Sequence, residues 1–358
     1  MLVLGVESSC DETAAGVVAD GFSVRSNVVA SQMDVHAEYA GVVPELASRA
    51  HEEKMLGVVD EALRLAGCRP RDVDAIAIGH RPGLIGSLLV GLAAGKAVAW
   101  ALDRPLIGVD HVHAHLISGL LPEAGAAPGG VEAGFPALGL VVSGGHTAIY
   151  RLDGWLAIRR LGGTIDDAAG EAFDKAATVI GLAFPGGAGI DRLGSRPGAD
   201  DHAVEFPISR IAPDSLDLSF SGLKTAFLYA ARGVPGPGGV YQRDGASLSE
   251  ERKSDLAASF QRAVCRAIVL KLERALDRLA EPGGPAVSTL LTGGGVTANT
   301  RLRAELAALA ARRRIALRLP RPEYCGDNAA MIASLGWQAL RAGRRDAIDL
   351  RAEPTTAC

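Results

Sequence analysis

The chain has 358 residues, 48% of them hydrophobic and 22% charged, which supplies a core for one large domain or two smaller ones. A net charge of −4 excludes a protein that attracts nucleic acid through a global basic field, although local basic clusters stay open. The five cysteines are scattered without a C-x-x-C pair, and no basic segment followed by an apolar stretch indicates a signal peptide. We therefore expect a cytoplasmic protein without a disulfide framework.

The sequence begins with a predicted strand, a polar turn and a second strand. Apolar runs cover residues 2–7 and 14–19, and an Asp-Gly pair typical of a tight turn follows the second run. The polar segment between the runs contains Asp11 and Glu12, two neighbouring carboxylates at the end of a strand. A solvated turn is the simpler interpretation of this pair, and a functional site is the alternative.

Two helices and a strand are predicted next. Residues 43–66 have a helical pattern with a proline in the first turn and a glycine directly after the end. Residues 73–78 predict a strand, and a Gly/Pro turn over 80–87 leads into the apolar stretch 84–102. Because glycines and Lys96 interrupt that stretch, it predicts a buried helix rather than a membrane span.

Residues 110–116 contain three histidines directly after the strand-like segment 106–109. A helix here projects His111 and His115 from one face, so that two imidazole nitrogens can reach one divalent ion. His113 lies about 200° around the helix from His111 and is not expected to join them. A histidine cluster on an amphipathic helix is the alternative, but the carboxyl end of a strand is where α/β sheets place their sites.

The second half of the chain repeats patterns of the first. Strand, polar turn and strand over residues 137–152 repeat the opening hairpin, and strand, glycine turn and helix over 287–299 repeat residues 73–87. This duplication predicts an α/β protein with an actin-like two-lobe fold, in which duplicated mixed sheets flanked by helices face each other across a nucleotide cleft. The chain lacks a Walker-type phosphate loop.

A linker rich in Pro, Gly and Ala at residues 121–135 separates the two halves. We place the first lobe at 1–125 and the second at 126–327. Helices within about 328–358 are expected to pack back on the first lobe.

Several acidic residues of the second half need an explanation. Asp166 and Asp167 suit the first turn of a helix, where carboxylates favour the helix dipole, whereas Asp174 lies deeper in the same helix. Asp327 is a suitable N-cap, but it would also supply a third, oxygen ligand if its helix begins opposite the histidine pair.

Two basic features are candidates for phosphate contacts. Lys224 lies in the small, polar segment 219–225. A cluster of arginines could contact a nucleic-acid backbone, and a solvated helix face is an equal alternative for it. The cluster consists of Arg312, Arg313, Arg314, Arg318 and Arg321.

These motifs resemble the TsaD family of tRNA threonylcarbamoyladenosine synthesis proteins, nearly from end to end. So many motifs in the same order make the resemblance specific. They comprise residues 7–13 (ESSCDET), 44–51 (PELASRAH), the histidine pair, 143–147 (SGGHT), 166–175, 185–187, 219–225, 292–299 and 327–330 (DNAA).

The resemblance implies transfer of threonylcarbamoyl from threonylcarbamoyl-AMP to the N6 amine of the adenosine beside the anticodon, in tRNAs that read codons beginning with A. It also implies one divalent metal ion, Fe²⁺ or else Zn²⁺, held by His111, His115 and Asp327. We expect Asp11 or Glu12 to orient or deprotonate the attacking amine.

The resemblance further implies an adenylate site that ATP, ADP or AMP could also occupy. The expected partners are tRNA, a TsaB-like paralogue and a TsaE-like ATPase, with no membrane and with a possible homodimer when the chain is isolated. The implied nucleotide-binding residues are Val141, Val142, Ser143, Gly144, Gly145, Asp174, Gly187, Asp191 and Asn299.

The chain departs from the family pattern in a few loops. The family usually reads Thr-x-Gly-Pro-Gly-Leu where this chain has Gly79-His80-Arg81-Pro82-Gly83-Leu84, so Arg81 adds bulk and charge to a glycine turn. Gly326 replaces a usual threonine before the expected metal ligand, and Ala188 replaces a common proline.

Three other functions compete with this assignment. A metalloprotease, the older label of the family, is disfavoured because His-Glu-x-x-His is missing and the histidine helix contains no glutamate. An actin-fold carbamoyltransferase or small-molecule kinase would share the nucleotide cleft. A degenerate nucleotide-binding scaffold is disfavoured by the complete set of expected ligands.

Overall fold

Two five-stranded mixed sheets organise the molecule. The computed structural model describes residues 1–39, 41–125, 133–208, 211–212, 214–280 and 286–355. The first sheet contains β1 (Leu2–Glu7), β2 (Glu12–Ala19), β3 (Ser23–Ser31), β4 (Ala75–Arg81) and β5 (Leu106–Asp110). The second sheet contains β6 (Ala137–Val142), β7 (Thr147–Gly154), β8 (Ala157–Gly163), β9 (Thr289–Gly293) and β10 (Ala316–Arg318).

Helices flank both sheets. In chain order they are α1 (Met33–Ala37), α2 (Pro44–Leu65), α3 (Ile85–Leu102), α4 (His111–His115), α5 (Ala169–Val179), α6 (Gly187–Gly194), α7 (Ser221–Arg232), α8 (Glu250–Leu279), α9 (Thr300–Arg313) and α10 (Ala329–Arg341).

The two sheets have the same topology. The first has the order β3-β2-β1-β4-β5 and the second the order β8-β7-β6-β9-β10. In each, the first three strands form an antiparallel meander, and the last two add in parallel. The α/β architecture with duplicated mixed sheets, predicted from the repeated patterns, is therefore confirmed. The lobe boundary at 125/126 stays a prediction, because residues 126–132 lie outside the described residues.

Apolar side chains bury both faces of the sheets. One cluster packs the first sheet against α2 and α3, and another packs the second sheet against α5 to α9. A third cluster lies between the sheets and joins residues of both, such as Val109 and Leu116 with Val141 and Tyr150. Helix α10 packs against β1, β2, β4 and β5, so the chain returns to the first sheet after completing the second.

Several predicted boundaries needed correction. The strand predicted at 73–78 runs from Ala75 to Arg81, because β5 pairs with it as far as Asp110 and keeps the backbone extended. The strand predicted at 287–291 is Thr289–Gly293, and the helix expected from residue 298 begins at Thr300. After α10 the tail contains no further helix up to residue 355.

Helix α3 is buried on one face only. Its small residues allow a close approach, since a Cβ at Gly91 would meet Ser8 and one at Gly95 would meet Ile78. By length and composition this helix could cross a membrane, and about a third of it is buried. Its other face exposes Ile85, Leu89 and Trp100, so the prediction of a buried helix holds for one face only.

Candidate metal centre and active-site cleft

The two predicted histidine ligands lie on α4, directly after β5. Both are buried, and their rings meet edge to face with centroids 4.7 Å apart. Oδ1 of Asp327 lies 3.2 Å from Nε2 of His115 and 3.4 Å from Nε2 of His111. One ligand atom from each residue lies within 4.8 Å of the others. The structure thus brings together the three suggested ligands, and His113 faces Asp110 instead.

The groups around these residues suit a bound divalent cation. Glu7, fully buried at the end of β1, places Oε2 2.9 Å from Nδ1 of His111. Metal-binding histidines commonly present their second nitrogen to such a carboxylate. Nδ1 of His115 is buried and has no hydrogen-bond partner among the described residues. Two imidazoles and one carboxylate are a donor set for iron or zinc that leaves further coordination positions open.

Opposite charges face each other within the cluster. Burial alone would raise the pKa of Asp327, but the two imidazoles hold it well below its ordinary range. Burial likewise opposes the charge on His111, and the carboxylates of Glu7 and Asp327 outweigh it and raise the pKa of that imidazole. Burial lowers the pKa of His115. Metal coordination requires both imidazoles to be neutral, so a bound ion would take the place of the proton that Glu7 and Asp327 favour on His111.

The structure corrects the interpretation of Asp327 as a helix cap. The N-cap of α10 is Asn328, whose Oδ1 accepts a hydrogen bond from the amide of Met331 at 3.0 Å. Asp and Asn are both good N-caps, so the sequence alone did not decide whether Asp327 or Asn328 caps the helix. Because Asn328 caps the helix, the carboxylate of Asp327 remains available to the histidines.

Asp11 and Glu12 lie beside this cluster, where β2 begins. The backbone of Asp327 lies close enough to the Glu12 carboxylate to favour its charged form. Burial, and then the charge of Asp327, raise the pKa of Glu12 to about 8 and also raise that of Asp11. A Cβ at Gly326 would lie 3.4 Å from Oε2 of Glu12, so this departure from the family pattern also borders the site. The structure favours the functional-site interpretation of the acidic pair over the solvated turn, since both residues are only partly exposed and burial raises the pKa of both carboxyl groups.

A glycine loop of the second lobe approaches the histidines from the other side. Ser143 closes it, with its amide donating to the carbonyl of His146 at 2.7 Å and its Oγ accepting from the amide of His146 at 3.0 Å. Burial, with His111 and His115 nearby, lowers the pKa of His146 to about 4. His146 is therefore a site residue that the sequence analysis quoted within a motif but did not select.

The expected nucleotide-binding residues around the glycine loop differ in their exposure to solvent. Gly144 and Gly145 are exposed at the loop tip, and a Cβ at either would meet nothing within 4 Å. Val141 and Val142 are fully buried in β6, so their side chains pack in the core and only their backbone could face a ligand.

The remaining nucleotide candidates lie on α5, α6 and α9. Oδ1 of Asp174 accepts hydrogen bonds from the amides of Gly186, at 2.7 Å, and Gly187, at 3.1 Å, which fixes the start of α6. Oδ1 of Asp191 accepts a hydrogen bond from the hydroxyl of Thr300 at 2.7 Å. Burial, opposed by the two amides and reinforced by the charge of Asp11, raises the pKa of Asp174.

Asn299 caps α9 through Oδ1, which accepts a hydrogen bond from the amide of Leu302 at 2.9 Å. Its amide group donates to Gln261 at 2.6 Å. Asn299 therefore already has local partners, and it borders the same junction as Asp191, whose partner Thr300 is the next residue in the chain.

Asp166 and Asp167 precede α5 rather than occupying its first turn. Asp167 pairs with Lys175 at 3.0 Å and with Lys224, and Asp166 accepts a hydrogen bond from the amide of Phe220 at 2.9 Å. The helix-dipole interpretation of these acids is therefore wrong. Lys224, suggested for phosphate, already has a carboxylate partner.

The arginine cluster does not form a free basic patch. Arg312 pairs with Glu273 at 2.8 Å and Arg313 with Asp277 at 2.6 Å. Arg321 lies 2.7 Å from Glu323. These pairs favour the solvated-face alternative for the cluster.

Comparison with known sequences identifies close relatives. The family model for TsaD, tRNA N6-adenosine threonylcarbamoyltransferase, matches residues 23–334. A protein of that name from Trichlorobacter lovleyi is 47% identical over 355 residues, which cover 99% of this chain and 96% of the relative. One from Symbiobacterium thermophilum is 48% identical, with 99% and 96% covered.

Comparison with solved structures addresses the fold. HypF from T. kodakarensis matches 95% of this chain and 48% of its own, with a TM-score of 0.59 and 16% identity. Component A of the Acidaminococcus fermentans (R)-2-hydroxyglutaryl-CoA dehydratase matches 96% of this chain and 100% of its own, with a TM-score of 0.52 and 12% identity. At such identities the likeness shows the fold alone, and it confirms the predicted actin-like two-lobe architecture.

Proposed function

Because the chain belongs to the TsaD family of tRNA N6-adenosine threonylcarbamoyltransferases, and is thus a transferase that modifies tRNA, we propose that threonylcarbamoyl-AMP is its donor and that a metal ion assists the transfer. The acceptor is the N6 amine of the adenosine beside the anticodon, in tRNAs that read codons beginning with A. The observation that carries this proposal is the convergence of His111, His115 and Asp327 beside the half-buried carboxylates of Asp11 and Glu12.

In this reaction the amine nitrogen attacks the carbamoyl carbon, the bond from that carbon to the phosphate oxygen breaks, and AMP departs. The amine must lose a proton, and Asp11 or Glu12 is placed to orient the amine or accept that proton. Closing the lobes around these desolvated groups excludes water that would hydrolyse the donor.

The three ligand residues would hold Fe²⁺, or alternatively Zn²⁺, at the mouth of the cleft. When bound, such an ion supplies a positive charge that polarises the oxygens on which negative charge develops. Glu7 fixes the ring of His111, so the ligand nitrogen points to the carboxylate of Asp327 before any ion arrives.

The adenylate would lie against the second lobe. Gly144 and Gly145 leave room for close approach of phosphate to backbone amides, as phosphate-binding glycine loops do. Asp174 orders the loop that begins α6, where Gly187 would contact the nucleotide, and we assign Asp191 and Asn299 to the ribose or base edges.

A reconstituted reaction tests the function. It contains the chain, its partners, the enzyme that forms threonylcarbamoyl-AMP, ATP, bicarbonate, labelled threonine and unmodified tRNA. The expected result is label in tRNA. A phosphorylated or carbamoylated small molecule, with unlabelled tRNA, would favour the actin-fold kinase or carbamoyltransferase instead.

The roles of Asp11 and Glu12 are tested by alanine at each position. Single-turnover transfer should fall by about 10²- to 10⁴-fold, the usual contribution of a general base, while adenylate affinity stays unchanged. Asp60→Ala, an exposed carboxylate on α2, is the matched control. Unchanged transfer in both cleft variants would remove this role.

We propose a TsaB-like paralogue and a TsaE-like ATPase as partners, and the cytoplasm as location. The outer face of α3 is the surface we assign to the paralogue, because Ile85, Leu89, Ala93, Ala97 and Trp100 present an exposed apolar ridge there. Trp100→Glu should abolish co-purification with the paralogue and leave zinc binding unchanged. Sedimentation of the isolated chain, with and without the substitution, reveals whether a homodimer uses the same ridge.

A further inference from the structure

Arg81, where the family pattern led us to expect glycine, lies next to the metal-binding helix. The ends of β4 and β5 pair in register, with Arg81 opposite Asp110. Nε of Arg81 lies 3.3 Å from Oδ2 of Asp110, and the side chains are only 22% and 5% exposed. A buried carboxylate of this kind is costly without a facing cation.

Asp110 connects that ion pair to the histidines. It is the N-cap of α4, and its Oδ1 accepts a hydrogen bond from the amide of His113 at 3.1 Å. The first residue of the helix that it caps is His111. The helix has barely more than a turn, so its cap helps to fix the backbone that carries both metal-binding imidazoles.

The C-terminal segment joins the same network. The second side of the Arg81 guanidinium lies 3.0 Å from Oε2 of Glu353. The amide of Glu353 donates to the carbonyl of His80 at 3.0 Å, and Nδ1 of His80 donates to the carbonyl of Arg351 at the same distance. Upstream, Asp346 accepts a hydrogen bond from the amide of Gly108 at 2.7 Å. The tail therefore forms a strap, residues 346–353, across the ends of β4 and β5.

We propose that Arg81 is a positioning residue for the metal centre: it holds Asp110 in its capping position on α4, and the strap holds Arg81 through Glu353. This inference rests on the proposed metal site. It predicts that a charge pair outside the ligand set controls how tightly the ion is held.

The test is a chelator competition for zinc on the full-length chain. Arg81→Gly should weaken zinc binding by about tenfold, the lower end of the effect of losing a group behind a ligand. The double variant Arg81→Gly/Asp110→Asn should recover to within about threefold of the parent, because asparagine still accepts from the His113 amide and needs no cation. Glu353→Gln should have a smaller effect than Arg81→Gly.

Hydrogen exchange at the His113 amide supplies a readout that does not need the ion. Exchange should be faster in Arg81→Gly and return to the parent rate in the double variant. Arg345→Gly is the matched control, since Arg345 is an exposed arginine in the same part of the chain.

Each outcome bears on one proposal. Parent-like zinc affinity and exchange in Arg81→Gly overturn the positioning role, as does a loss that the second substitution does not repair. A parent chain that binds no zinc overturns the proposed metal site, and the His113 exchange rates then decide the positioning of α4 alone.

Discussion

The two walls of the cleft are constructed differently. On the first lobe, Glu7, Ser8, Ser9 and the histidines are buried. Hydrogen bonds fix Glu7 and the two serines, whereas Nδ1 of His115 has no partner among the described residues. On the second lobe, Gly144 and Gly145 are exposed and have no side chains, and Asp174 serves to order backbone. The first wall thus holds its polar groups in place, whereas the second presents an open backbone surface, which we propose as the adenylate site.

The acidic turn shows how the first wall is fixed. The carbonyls of Ser9, Cys10 and Asp11 each accept a hydrogen bond from a different part of the lobe. Leu84 donates to the first at 2.8 Å, and the amide of Gln32 donates to the third at 3.1 Å. His51 donates to the second.

His51, buried on α2, forms hydrogen bonds to the residues on both sides of the acidic pair Asp11 and Glu12. Its Nε2 lies 3.0 Å from the carbonyl of Cys10, and its Nδ1 lies 2.8 Å from Oγ1 of Thr13. A carbonyl only accepts, so Nε2 carries the hydrogen and Nδ1 accepts from the hydroxyl. Burial lowers the pKa of His51, which keeps the ring neutral in this form. The sequence analysis did not select this residue.

The largest effect is expected from removing a ligand of the first wall. His111→Ala should abolish stoichiometric metal binding and reduce single-turnover transfer by at least on the order of 10³-fold. Metal analysis of the purified variant beside the parent checks this, with His202→Ala, an exposed histidine, as control. Full metal content in the variant would contradict the assignment of the centre to these residues.

A smaller effect is expected when the support of the first wall is weakened. His51→Asn cannot reach the Cys10 carbonyl, so the acidic pair should shift and kcat should fall by about 10- to 100-fold with unchanged donor affinity. His51→Gln, whose amide reaches the position of Nε2, should retain most of the activity. Equal losses in both variants, in step with a lower Tm, would mean that His51 only stabilises the fold.

The second wall should respond in binding rather than in chemistry. Asp174→Ala removes the acceptor of two amides and should raise the KM for the donor by about tenfold, which corresponds to the loss of roughly one to two hydrogen bonds, with little change in kcat. Glu171→Ala on the same helix is the control. A loss confined to kcat would mean that the second wall also contributes to the chemical step, and it would contradict the proposed difference between the two walls.

The smallest predicted effect is on the pH dependence of folding stability, through an ion-paired carboxylate of the second lobe. Burial opposes the charge of Asp167, but Lys224 and Lys175 outweigh it and lower its pKa. A lowered pKa adds stability at pH values above the unfolded-state value of about 4, and this is lost as pH falls through the folded-state value. Asp167→Asn should therefore cost about 1 kcal/mol at pH 7 and less at pH 3, measured by urea unfolding. A cost that grows toward acid would contradict this sign.

Local sequence patterns were enough to predict most of the fold and part of the candidate site. The repeated hairpin and strand-to-helix units were visible because each occupies one short stretch, and the i, i+4 spacing identified His111 and His115. Pairings over long separations were not visible: Lys224 meets Asp167 57 residues away. In the sequence, Glu7 is simply the last residue of a predicted strand. No local pattern indicates that its carboxylate faces the imidazole of His111 on α4.

The return of α10 to the first sheet has a consequence for motion. Asp327 stands directly before that helix, and its backbone contacts Glu12. The three proposed ligands and the acidic turn therefore all belong to the first lobe. Under the proposed function, a movement of one lobe against the other would change the distance from these ligands to the glycine loop and leave the distances among the ligands unchanged.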